Sequence, residues 1–111
     1  MPNGIERRGF ARYAVRAAAH FKWIDVNGTV RCGQGLTRDI NSRGMFIYSE
    51  AQPMLATDIE VEVRFSTVSD SIKLSMKAKG AVIRWEEPQD GIYYGFAVLN
   101  RDYSLQSDVI P

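Results

Sequence analysis

The chain is short of the residues that most chemistry needs, with one cysteine, one histidine and four prolines in 111 residues. Cys32, the single thiol, can form no disulfide within the chain. His20 stands without a cluster of Cys, His or Asp, so neither a metal-ligand set nor a paired acid and base is visible. An enzyme is the class this composition supports least, and no cofactor is expected. Charge of one sign is scarce too, with 14 Lys and Arg against 13 Asp and Glu and a net charge of +1. A general nucleic-acid coat needs a basic excess, so any anion site must be local. No apolar run is long enough to span a bilayer, and no hydrophobic signal-peptide stretch opens the sequence. These absences predict a cytoplasmic, reduced protein. Internal repeats, low-complexity tracts and long helical periodicity are also missing. What is present, 45% hydrophobic and 24% charged residues, suits one globular domain with a single core.

The local concentration of charge is Glu6-Arg7-Arg8-Gly9-Phe10-Ala11-Arg12-Tyr13. Gly9 interrupts the segment and no apolar stripe runs through it, which excludes an amphipathic helix. Read as extended chain, Arg8 and Arg12 stand roughly 13 Å apart, a span that grips two parts of one nucleotide-sized anion. Arginine suits that task, because its permanent charge and planar fork of donors match phosphate oxygens and the O6/N7 edge of guanine. Taken alone, the segment reads as an ordinary solvated leader. Residues 1–12 carry little apolar surface and are expected to form a flexible arm. Phe10 within it is left with two roles, covering a ligand or anchoring the arm.

Residues 13–100 read as strands. Tyr13, Val15, Ala17, Ala19, Phe21 and Trp23 share one parity and Arg16, His20 and Lys22 the other, the period of a half-buried strand. His20 is then a surface histidine. Asp25-Val26-Asn27-Gly28 supplies a hairpin turn with the Asn-Gly signal. A return strand over residues 29–40 places Val30, Cys32, Leu36 and Ile40 on one face, which makes Cys32 a core residue. Gly33 and Gly35 within it suggest a bulge or a close backbone approach. Further on, Ile59, Val61, Val63 and Phe65 alternate with polar residues, and residues 67–71 form a polar loop. Ile72, Leu74, Met76 and Ala78 follow, and the phase flips at Gly80 so that Ala81, Ile83 and Trp85 continue the apolar side. After a turn at residues 86–91, Ile92, Tyr94, Phe96 and Val98 make a last strand. The fold class predicted is all-β, a small antiparallel six-stranded barrel.

Between the second and third strands lies Asp39-Ile40-Asn41-Ser42-Arg43-Gly44. The polar block is a tight turn, and Gly44 can supply the positive φ such turns often need. Consecutive backbone N–H groups there can form an anion-binding nest. Asp39 and Asn41 share strand parity, so their side chains should project together.

The pair Arg8-x-x-x-Arg12 and Asp39-x-Asn41-x-x-Gly44 resembles the two-part signature of the PilZ domain family, an RxxxR arm followed by a D/N-x-S-x-x-G turn. Glu-Arg-Arg ahead of the arm and Arg-Gly-Met-Phe-Ile after the turn agree with it, over about residues 6 to 99. The chain departs from the signature at one place, with Asn41 where the family has serine. The resemblance implies a split-barrel fold, a short or frayed helical tail over residues 101–111, and binding of cyclic di-GMP, a bacterial second messenger. It implies no metal, no catalysis and a downstream protein partner. Arg8 and Arg12, with Arg7 as a third contributor, would hold phosphate or guanine, and ionised Asp39 would accept from the guanine N1–H and amino group. Asn41 can stand in for a hydroxyl, and Gly44 would let the backbone approach the ligand. Trp85 is added as a stacking face, or else as a large residue packed at the barrel rim. Ligand binding would order the arm over the barrel and present a new surface to the partner. Two alternatives stand beside this reading: a PilZ-like adaptor that no longer binds the nucleotide, and a barrel that binds single-stranded nucleic acid on arginines and aromatics.

Overall fold

Six antiparallel strands close into a barrel in the computed structural model, which describes residues 16–65, 72–87 and 94–109. They are β1 (Ala18–Ile24), β2 (Val30–Asn41), β3 (Gly44–Tyr48), β4 (Asp58–Phe65), β5 (Ile72–Glu86) and β6 (Gly95–Val109), in the spatial order β1-β2-β3-β6-β5-β4. The expected arm, including Arg7, Arg8, Phe10 and Arg12, lies outside the described residues. So do the expected loop at residues 67–71 and most of the turn at residues 86–91. No described helix is long and apolar enough to cross a membrane.

The regular strands follow their alternation. On β1, Ala19 and Phe21 are buried and on β4 Ile59, Val61 and Val63, joined in one core by Met45, Ile47, Met76, Val82, Phe96 and Val98. His20 is exposed, as its parity requires. Asp25 organises the β1–β2 connection. Its Oδ1 accepts from the N–H groups of Asn27 and Thr29, and its Oδ2 from Arg31 Nε at 2.9 Å. These bonds hold the Asp25 carboxyl below its ordinary pKa, with the Arg31 bond the largest cause. The connection spans residues 25–29, longer than a two-residue turn, with Gly28 at φ 79°.

β2 corrects the sequence reading. Val30 and Leu36 are 61% and 48% exposed, and Cys32 is exposed rather than part of the core. The reason is a register shift between Thr37 and Asp39, where Thr37 pairs with Ile47 and Asp39 with Phe46. Arg38 is the extra residue. Upstream of it the odd positions face inward, ending in fully buried Thr37, and downstream Ile40 takes the inward place. Gly33 and Gly35 therefore point into the barrel. They mark close approaches rather than the bulge: a Cβ at Gly33 would lie 2.6 Å from the Phe21 ring, and one at Gly35 would collide with the Tyr48 carbonyl oxygen.

The far strands differ as well. Even positions of β5 stay inward from Met76 through Val82, so Gly80 causes no phase flip, and Ile83 and Trp85 are 48% and 43% exposed. An irregularity does occur at Gly80, but its extra residue is Arg101 on β6, while Ile83 is the extra residue of a second one. No helical tail is found among the described residues. Residues 103–106 belong to β6, whose pairing with β5 continues to Val109. The ladder partner supplied by a 15-residue β5 outweighs any local helical preference.

Two outcomes follow. Gly35→Ala should lower stability by about 1–3 kcal/mol, the scale of overpacking against backbone that cannot yield, read as an earlier thermal melt. Asp25→Asn should change the acid limb of a stability–pH curve. A lowered folded-state pKa gives stability that is present above the unfolded value and lost as pH falls through the folded one, and the variant loses that slope.

Candidate functional site

The shift at Arg38 decides what the outer face of β2 presents. With Thr37 and Ile40 both inward, Arg38 and Asp39 project outward side by side, and Asn41 follows on the same face. One row crosses four strands here: Asp39 pairs with Phe46, Phe46 with Ala97, and Ala97 with Arg84. Phe46 belongs to this outer face, between the inward Met45 and Ile47. It is nevertheless covered. The Arg38 guanidinium carbon lies 3.9 Å from its ring centroid, and Tyr48 meets it edge-on at 5.5 Å. Gly95 leaves room beneath it, since a Cβ there would strike the ring.

Arg38 is held from two further sides. Its Nε donates to Asp39 Oδ2 at 2.9 Å, and its Nη1 donates to Glu86 Oε1 at 3.2 Å. Burial on its own would lower the guanidinium pKa, but the two carboxylates outweigh it and the net direction is upward. Arg84 shares the same Glu86 through Oε2. The face thus carries two arginines and two carboxylates around one aromatic ring.

The turn beside it is built on Asn41. Its Oδ1 accepts from the backbone N–H of Arg43 at 2.8 Å and of Gly44 at 3.0 Å, the local pattern by which Asx and Ser/Thr side chains both close turns. The carbonyl end of the amide is therefore committed to the turn, and the amino end remains as the donor it can offer. Gly44 does not have the positive φ expected of it; among the described glycines only Gly28 does. Its requirement is space, because a Cβ would collide with the Val98 carbonyl oxygen. Asn100 ties the turn to β6: its N–H donates to Arg43 O at 2.7 Å and its Nδ2 to Ser42 O at 3.3 Å. The Asn100 Oδ1 is buried without a hydrogen-bond partner among the described residues.

The structure brings Asp39, Asn41 and Gly44 together at one end of the β2–β3 hairpin. Trp85 is placed on the opposite parity from Arg84 and Glu86, and its indole N–H donates to Pro53 O at 2.7 Å, which ties it to the β3–β4 connection. Arg7, Arg8 and Arg12 are outside the described residues. The junction of their segment with the barrel is nonetheless defined. Ala17 N–H donates to Thr37 Oγ1 and Thr37 N–H donates to Ala17 O, both at 2.9 Å. Sequence reasoning missed Arg38, Phe46 and Glu86. The only signal for them was the apolar Phe46 following a turn, and nothing local marked the 48-residue separation between Arg38 and Glu86. Among the described residues no group of three or more His, Cys, Asp or Glu is placed to hold a metal ion.

Compared with known proteins, the chain matches the family model of the PilZ domain over residues 6–108. No curated protein and no solved structure matches it.

Asn41→Ala removes the acceptor for two turn N–H groups and should cost about 1 kcal/mol of stability in a denaturant melt, whereas Asn41→Asp keeps an acceptor and should stay close to wild type.

Proposed function

The chain belongs to the PilZ domain family, and from that premise we propose that it is a receptor for cyclic di-GMP that passes the signal to a protein partner. The family is one of ligand-binding and adaptor modules, and the reading assigns no catalysis to this member. The observation that carries it is the outward placement of Asp39 and Asn41 beside Gly44, two residues from the point where the arm joins the barrel. β1 runs antiparallel to β2, so the end of β1 that receives the arm is the end beside Thr37. Ala17 lies five positions after Arg12, a reach of up to roughly 17 Å in extended chain. Arg8 and Arg7 follow within a further span of the same size. The arm can therefore deliver its arginines to the face that holds Asp39.

In this reading Asp39 accepts from the N1–H and amino donors of a guanine, and the Asn41 amino group donates to the ligand. Arg8 and Arg12, with Arg7 beside them, take the phosphates or the O6/N7 edge. Gly44 keeps the turn low enough for the ligand to approach, and Trp85 closes the barrel near Pro53 rather than meeting the same base. Arginine only donates, and the buried Asn100 acceptor beside the turn is one atom it can satisfy. Ligand bridging arm and barrel fixes the arm on the outer face, and the altered surface is what the partner reads.

The adaptor alternative has one observation in its favour. Ile24, Val26 and Val30 around the β1–β2 connection are more than half exposed, a surface suited to protein contact. A nucleic-acid groove is less well supported, because the outer face of β1, β4, β5 and β6 alternates in sign along Lys22, Glu60, Lys79 and Asp102.

Thermal melts with and without cyclic di-GMP discriminate these readings. Ligand at about 100 times its Kd should add roughly 2.7 kcal/mol of stability, and an unchanged melt at high ligand would favour the adaptor. Arg12→Ala should weaken binding by about 1–3 kcal/mol while leaving the ligand-free melting temperature in place.

A further inference from the structure

Arg38 has no place in the two-part signature, yet three neighbours fix its guanidinium on the candidate face. The extra residue in β2 turns the side chain outward, Phe46 backs it at 3.9 Å, and Asp39 and Glu86 hold two of its nitrogens. Immobilising a long side chain costs conformational entropy, and a part-exposed ion pair returns little stability. The arrangement is better understood by what it presents: a planar cation, preorganised next to Asp39, with the side chain still 32% exposed.

We propose that Arg38 is a ligand-contacting residue of the nucleotide site, and that one guanine of cyclic di-GMP stacks on its guanidinium, with Phe46 as the backing layer. The proposal rests on the receptor reading and adds a residue to the same site. Edge-on contact to guanine is the weaker option, because Nε and Nη1 already donate to carboxylates. Phe46 covers one face of the plane, which leaves the other for the base. Arginine stacks on aromatic systems through both its charge and its flat delocalised surface, and lysine has no such surface. A base seated there lies beside the Asp39 carboxylate, so stacking and hydrogen bonding act on one guanine. The position therefore selects for a planar base as well as for negative charge.

The test is calorimetric titration of the full chain with cyclic di-GMP, on wild type, Arg38→Lys and Arg12→Ala, together with NMR of the Arg38 Nε–H in wild type. Arg38→Lys keeps the charge and loses the plane, so its affinity should fall by about tenfold or more. The Arg38 Nε–H resonance should move upfield when wild type is saturated, through the ring current of the stacked base. A lysine variant that binds like wild type, or a resonance that does not move, overturns the stacking role. The receptor reading survives that result if Arg12→Ala still loses affinity. Absence of binding to wild type overturns the receptor reading and this inference with it. The resonance is read on the native chain, so the outcome does not depend on how well a variant folds.

Discussion

One inserted residue in β2 governs the rest. Upstream of Arg38 the inward positions are odd, and downstream they are even. Carried through without interruption, the first phase would turn Asp39 and Asn41 into the barrel and Ile40 out to solvent. A carboxylate in that core would meet Met45, Ile47 and Val98 with nothing to pair it, a cost of several kcal/mol that the site could not recover. The shift avoids that cost and assembles the outer face in the same step. Thr37 stays inside as the last residue of one phase, and Arg38 and Asp39 emerge together as the first of the next.

Thr37 then acquires a second consequence. It is fully buried, and it holds the start of the described chain by two hydrogen bonds to Ala17. The start of the described chain and Asp39 are thereby fixed two positions apart on one strand. An arm tethered elsewhere on the barrel would have to cross strands to reach Asp39, at the entropic cost of a longer closure. The Arg38–Glu86 pair extends the same neighbourhood to the last residue of β5. The outer face around Asp39 is thus linked to the end of the β5–β6 ladder as well as to the start of the described chain.

Where a strand is regular, the sequence was readable. β1 and β4 alternate without interruption, and their buried residues are those the period selects. β2 was misread because its irregularity sits at Arg38, a residue with no conformational signature, while the conspicuous glycines at 33 and 35 serve close packing instead. Ile83 was misread for a related reason: the phase of β5 changes at Ile83 itself, the extra residue between Val82 and Arg84, and not at Gly80, whose irregularity places its extra residue on the partner strand. The alternation of Tyr103, Leu105 and Val109 was visible, and an expected helix displaced it. Asp39, Asn41 and Gly44 were legible because a turn concentrates its requirements in six consecutive residues. Arg38, Phe46 and Glu86 were not, since they meet only through pairing across strands.

The turn also shows what the signature position asks of its side chain. A serine hydroxyl at that place can accept from turn N–H groups and still donate its own proton. Asn41 divides the same two functions between the ends of its amide, with Oδ1 on Arg43 and Gly44 and the amino group as donor. Closing the turn takes an acceptor turned inward, and Asn41 keeps a donor outside it. Residue identity is secondary to that division. An alanine meets neither demand, an aspartate meets only the first, and asparagine meets both with a longer reach from the backbone. For closing this turn, Asn41 is a working alternative to serine.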